Sequence, residues 1–232
     1  MSVRAPRARP YPPPGMLGPR AIAWWSLRTM TAAVRVEGAE HVPATGPVLL
    51  AARHYHHLLD GAVLIAHAGR PVHLVVALDW TADAAQRRWM ERACAAARWP
   101  VIVRPASAER GGGYGAAEVA RYLRSGLREA ARLLGEGRVV AVFPEGYPAI
   151  DPARRDAPPP RDAAGFLPFA GGFRTIASIA RRHGAEQVAL VPVGFRYDPD
   201  GRKWRITARF GTPLGADAAI ETVETAVRAL SE

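Results

Sequence analysis

Short apolar runs of strand length alternate along this chain with stretches of helical period, and that alternation restricts the fold more than any other feature. Runs at 47–52, 73–78, 100–103, 138–143, 187–196 and 203–210 read as strands, and the segments 60–68, 81–97, 114–134, 171–183 and 216–230 read as helices. Strands separated by helices predict an α/β domain with a mixed, largely parallel sheet flanked by helices. The last two strands are joined through Asp198-Pro199-Asp200-Gly201, a turn sequence that predicts a hairpin. With 232 residues the chain is long enough for one well-buried domain.

That domain is expected over residues 35–232. Residues 1–15 hold five prolines among Arg4, Arg7 and Arg9 with no apolar period, and read as a disordered basic tail. Residues 16–34 read as an amphipathic helix. From Arg20 to about Val34, Ile22, Trp25, Met30 and Ala33 share one side, Trp24 lies near it, and Arg20 and Arg28 lie towards the other. The tryptophans suit either a core or a membrane interface. Val34 to Gly38 then reads as a short strand and turn.

Charge narrows the partners. The net charge is +10, from 31 basic against 21 acidic side chains, and Lys203 is the only lysine. An arginine-rich surface favours anionic partners such as phospholipid headgroups, phosphorylated substrates or nucleic acid. The arginines are scattered and no nucleic-acid-binding motif is present, so nucleic acid is not the expected partner. Cys94 is the only cysteine, which excludes an intrachain disulfide and a cysteine-based zinc site. No run of about 18 apolar residues exists, and the N-terminus lacks the apolar core of a secretory signal. The expected location is cytoplasmic.

Two segments carry the candidate chemistry. Arg53-His54-Tyr55-His56-His57-Leu58-Leu59-Asp60 follows the apolar run Val48 to Ala52. A histidine leaving a strand end, with an aspartate a few residues on at a helix start, can be a base and its orienter. Phe143-Pro144-Glu145-Gly146 also closes an apolar run, and Arg104 follows the strand at 100–103. In open α/β sheets ligands sit beyond the carboxyl ends of strands, so these segments are expected on one rim. The clustered histidines have no second group at zinc spacing, so no metal site is expected. Gly111-Gly112-Gly113 lacks the ending of a phosphate loop and reads as a flexible turn. No Gly-x-Ser-x-Gly elbow is present, which argues against a serine hydrolase. Tyr147 to Gly165, rich in proline and arginine, reads as a long loop beside the suspected site, in the position of a flap.

At these residues the chain resembles the glycerolipid acyltransferases, whose best-known members are 1-acylglycerol-3-phosphate acyltransferases. Val36 to Pro43 is similar to the family's opening strand and turn. Gly46 to His54 is similar to its approach to the catalytic histidine, and Val101 to Arg104 to the strand bearing its second-motif arginine. Phe143 to Gly146 matches its third motif and Val191-Pro192-Val193 its fourth. Phe169 to Ala177 is similar to the helix start between them, and Gly211-Thr212-Pro213 to the closing turn. Any one tetrapeptide is weak evidence; the order and spacing carry the resemblance.

Two departures stand out. Five residues separate His54 from Asp60, one more than is usual in the family. Counting back from Asp60 puts Tyr55 in the histidine slot, and counting forward from the strand puts His54 there. His54 is favoured because strand register is harder to shift than a loop is to lengthen. His57, nearer the aspartate at a helix start, is the reserve, and His56 reads as an ordinary polar residue. The second departure is Tyr147-Pro148 after Gly146, where the family often has threonine and arginine.

The resemblance implies an acyltransferase moving a fatty acyl group from acyl-CoA or acyl carrier protein to a lysophospholipid hydroxyl. His54 would be general base and Asp60 its orienter. Arg104, Glu145, Gly146, Phe143 and Pro144 would bind the acceptor, and backbone N–H groups near a helix start could hold the oxyanion. No resident cofactor is expected. Work on such an acceptor would place the protein on the inner face of an anionic membrane. The alternative is a catalytically altered, lipid-binding member of the same fold.

Overall fold

The computed structural model describes residues 18–81, 83–105, 114–151, 159–185 and 187–232. The basic tail and the triple glycine therefore lie outside the described residues. The elements are α1 (Pro19–Met30), β1 (Thr31–Glu37), β2 (Val48–Ala52), α2 (Leu59–His67), β3 (Val72–Leu74), β4 (Val76–Ala77), α3 (Ala84–Ala97), β5 (Val101–Ile102), α4 (Ala116–Gly135), β6 (Val139–Val142), α5 (Gly172–Arg182), β7 (Ala189–Asp200), β8 (Lys203–Phe210) and α6 (Ile220–Leu230).

Six strands form one sheet in the order β1-β8-β7-β2-β6-β3. All neighbours run parallel except β7 and β8, the expected hairpin. Pairing continues through Asp200↔Lys203, so the chain reverses at Gly201-Arg202 rather than earlier.

Strand side chains alternate between two helical layers, as the period of two requires. Val48, Leu50 and Ala52 of β2 face a core with Leu27 of α1 and Leu59, Val63 and Leu64 of α2. Leu49 and Ala51 face the opposite core, with Leu133 and Leu134 of α4, Phe173 and Ile176 of α5, and Val223 and Val227 of α6. Helix α2 is buried from Leu59 to Ile65, because the sheet lies on one side and α1 packs on another.

Two elements differ from the sequence expectation. The helix expected to reach Val34 stops at Met30, and the strand begins at Thr31. Pairing with β8 from Thr31↔Trp204 onward overrides local helical periodicity. The Thr31 hydroxyl donates to the Leu27 carbonyl at 2.6 Å, satisfying an acceptor at the helix end. The run at 73–78 is broken in two. Its first half, β3, pairs with β6, and its second half, β4, leaves to pair with β5 in a separate ribbon. Helix α4 holds that ribbon close: a Cβ on Gly126 would lie 2.4 Å from the Val101 carbonyl oxygen.

Candidate active site

Strand β2 lies between β6 and β7 and delivers His54 at its carboxyl end. The Arg53 N–H still donates to Val193 of β7, at 3.0 Å. One residue later the ladder ends, and the His54 N–H donates instead to Glu145 Oε1 at 2.8 Å. The chain then wraps around one carboxylate. Asp60 Oδ2 accepts from the His54 ring at Nδ1 (3.0 Å), the Tyr55 N–H (2.7 Å) and the His56 N–H (2.9 Å). Asp60 Oδ1 accepts from the Tyr197 hydroxyl at 2.5 Å. Burial pushes the Tyr197 phenol well above its ordinary range, with the nearby Asp60 charge adding to it, so it stays a donor.

With the carboxylate as acceptor, Nδ1 of His54 is the donor nitrogen, and in the neutral ring the lone pair then lies on Nε2. The imidazole stacks on Phe143, with centroids 4.2 Å apart and planes 17° apart. The Asp60 side chain is fully buried, whereas that of His54 keeps 14% of its surface accessible. The extra residue in the His–Asp spacing is absorbed in the wrap, where two successive N–H groups turn onto the same oxygen.

The other histidines have different fates. His56 is buried, and its Nδ1 accepts from Leu58 N–H (3.2 Å) and Leu59 N–H (3.4 Å) at the start of α2. Burial, reinforced by His57, pushes its pKa down to about 4, which keeps that acceptor available. His57, the reserve base, does not reach Asp60: it is exposed and its ring stacks on His56 at 4.7 Å. Its N–H donates to Ile150 at 3.1 Å, part of a short bridge between the site and the long loop.

Glu145 takes a different place from the acceptor contact expected of it. Its side chain is fully buried, and Oε2 accepts from Arg161 (2.8 Å) and the Leu167 N–H (3.0 Å). Both oxygens therefore hold protein groups. Arg161 also donates to the Gly165 and Tyr147 carbonyls, so the two described arms of the loop are strapped to the site. Pro144 is buried, and its carbonyl accepts from Ala170 N–H ahead of α5. Gly146 closes the turn at φ 74°, with its N–H on Phe143 O at 2.9 Å.

Arg104 reaches the same rim from β5, although β5 is not in the main sheet. Its Nε donates to Asp79 at 2.7 Å, Nη1 donates to the Gly146 carbonyl, and the guanidinium lies 3.6 Å over the Tyr147 ring. Its side chain is 17% exposed. The N–H groups from His54 to Asp60 all have internal partners, so the oxyanion donors expected at a helix start are not found at α2.

Two shallow surface clefts, of about 430 and 500 Å³, lie over α4 and over α5, and His54 lines neither. Among the described residues no group of histidine, cysteine and acidic side chains is arranged to hold a metal ion. Cys94 is buried on α3, and burial pushes its thiol up to about 11, consistent with a packing role.

The sequence signature described as Acyltransferase matches residues 33–196, spanning β1 to β7. The chain belongs to this acyltransferase family. Its architecture is similar to that of the 1-acyl-sn-glycerophosphate (LPA) acyltransferase PlsC from Thermotoga maritima. The TM-score is 0.55 at 16% identity, over 90% of this chain and 74% of that one. At that identity the likeness bears on the fold. No curated protein matches the chain in sequence.

Sequence reasoning missed Tyr197 and Arg161. Tyr197 continues the inward alternation Val191, Val193, Phe195, and a polar tip at the end of such a ladder was the available signal. Arg161 sits among several loop arginines, and nothing local distinguishes it.

Proposed function

We propose that this acyltransferase moves a fatty acyl group from acyl-CoA or acyl carrier protein to the hydroxyl of a lysophospholipid, 1-acylglycerol 3-phosphate or a relative. The supporting observation is the 3.0 Å contact between His54 Nδ1 and fully buried Asp60, which leaves Nε2 as the basic nitrogen of a part-exposed ring. In this reading the acceptor oxygen attacks the thioester carbonyl carbon while its proton passes to Nε2. The tetrahedral intermediate collapses with cleavage of the C–S bond, and the imidazolium returns the proton to the departing thiolate. Ester and thiol are the products, and no enzyme nucleophile is needed. General base catalysis of this kind is typically worth about 10²–10⁴-fold. Arg104, with its fork-shaped head at the rim, is the candidate for a phosphate on the acceptor. Glu145 acts one step away, by holding the His54 backbone.

The test uses purified protein, lysophosphatidic acid and labelled acyl-CoA or acyl carrier protein. His54→Ala is expected to lower kcat by about 10²–10⁴-fold. Undiminished turnover in that variant would remove His54 from the mechanism.

The same reading places the protein on an anionic membrane surface. No helix among the described residues is long and apolar enough to cross a membrane. Ile22 and Trp25 of α1 are each 65% exposed, one turn apart, with Arg20 and Arg28 on the same helix. Ile22→Ser with Trp25→Ser is expected to weaken co-sedimentation with phosphatidylglycerol vesicles. Equal sedimentation would move the anchor elsewhere. Substitution is the cleaner test, because deleting residues 1–34 would also remove part of β1.

A further inference from the structure

Four alternate residues of β7, Val191, Val193, Phe195 and Tyr197, point into the core shared with α1 and α2. The first three are apolar. The fourth ends in a hydroxyl group, and its ring is held by other rings. Tyr55 stacks on it at 4.5 Å and 16°, Trp204 meets it edge-on at 5.7 Å, and Phe195 lies tilted at 6.3 Å. Only 8% of Tyr197 is exposed, so its hydroxyl needs a protein partner, and that partner is Asp60 Oδ1.

The two Asp60 oxygens are unequally served. Oδ2 receives the imidazole and two backbone N–H groups, whereas the phenol is the donor seen at Oδ1 among the described residues. The three donors on Oδ2 come from the wrap between β2 and α2, and the phenol comes from a neighbouring strand. It is therefore the link that ties the rotation of the carboxylate to the sheet rather than to the loop.

We propose that Tyr197 is a positioning residue for acyl transfer: its hydroxyl fixes the Asp60 carboxylate and, through it, the orientation and proton affinity of the His54 ring. The proposal rests on the reading of His54 as general base. A purely packing role would be served equally well by phenylalanine, which fills the same space.

The sign of the effect follows from the hydrogen bond. A donor on Oδ1 draws charge from the carboxylate. Without it, Asp60 holds the imidazolium more strongly and the His54 pKa rises. Among the described residues, the other titratable or charged groups that act on this segment are Arg53, Tyr55, His56 and His57 within it, and Glu145, Asp151 and Arg161 from the loop after β6. Tyr197→Phe leaves all of them in place, so a change in titration traces to the lost hydroxyl.

The experiment compares wild type with Tyr197→Phe by steady-state kinetics across pH and by NMR titration of the His54 imidazole in the unliganded protein. Tyr197→Phe is expected to lower kcat about tenfold at unchanged KM, the order of effect of one hydrogen bond felt in the transition state. The acidic limb of kcat/KM and the NMR midpoint are both expected to move to higher pH. Wild-type kcat together with an unmoved midpoint would overturn the proposal. If Tyr197→Phe does not fold, 3-fluorotyrosine at position 197 decides: its more acidic phenol donates more strongly and should move the midpoint to lower pH, and no movement would overturn the proposal. The NMR arm needs no turnover. A shifted midpoint in a protein that transfers no acyl group would therefore sink the functional reading while leaving the Tyr197–Asp60–His54 coupling intact.

Discussion

Two buried carboxylates stand within reach of one histidine, and they hold different parts of it. Asp60, on the β2–α2 wrap, takes the ring, two N–H groups of its own loop and one phenol. Glu145, at the end of β6, takes the backbone N–H of the same histidine, a guanidinium and the N–H of Leu167. Both side chains are fully buried. The difference lies in reach. Apart from the phenol, the partners of Asp60 lie within six residues of it, whereas those of Glu145 lie 91 positions before it and 16 and 22 after it. Asp60 is built to set the state of one imidazole. Glu145 is built to join three distant stretches of chain, and the position of His54 depends on that joint. Proximity to one histidine thus does not give two acids the same work.

The sharpest way to break this comparison is Asp60→Asn. The amide keeps the shape but can present a donor to the ring and so favour the wrong tautomer. In a hydrolase triad the matching change costs about 10⁴-fold in kcat. A loss of that order in steady-state kinetics is expected here. Next comes Glu145→Gln, which leaves the Arg161 guanidinium without its counter-charge. Breaking a buried pair in this way typically destabilises by about 3–5 kcal/mol, so denaturant unfolding should report the main effect. Were Glu145→Gln as stable as wild type and Asp60→Asn to unfold, the division of labour would be reversed.

The smallest effect concerns His56, which serves Asp60 through its N–H and the start of α2 through its ring. Its folded pKa of about 4 lies below the ordinary 6.5, so the unfolded chain binds the proton more readily. The stability it contributes is present above about pH 6.5 and is lost as pH falls towards 4. His56→Asn should flatten the slope of unfolding free energy against pH within that window. A slope equal to that of wild type would show that other groups dominate it.

The fold was largely legible because burial on two faces imposes its own patterns. Strand β2 is apolar throughout since helices cover both sides, and the hairpin announces itself through Asp-Pro-Asp-Gly. What was not legible came from pairing at a distance. Nothing near Thr31 says that a strand 173 positions later will claim it. Nothing in the run at 73–78 says that its two halves will serve different sheets. In the site, strand register points to His54 rather than Tyr55, and the structure holds the His54 ring 3.0 Å from Asp60 with the intervening residues in the wrap. Glu145 was placed in the rim, but the direction of its carboxylate depends on Leu167 and Arg161, which the local motif does not contain. That the His57 ring turns towards His56 rather than Asp60 is likewise an orientation that spacing alone cannot give.

The pairing of β1 with β8 sets an order of assembly. Among the described residues β1 is an edge strand whose only neighbour is β8, and Arg209 reaches across to Glu37 at 2.9 Å. A ribosome releases β1 long before it has made its partner. The nascent chain must hold a strand with an open edge until nearly the whole sequence has emerged, a situation that slows folding and invites mispairing. A message truncated before β8 would therefore do more than shorten the product: it would leave both β1 and the outer edge of β7 as sticky borders.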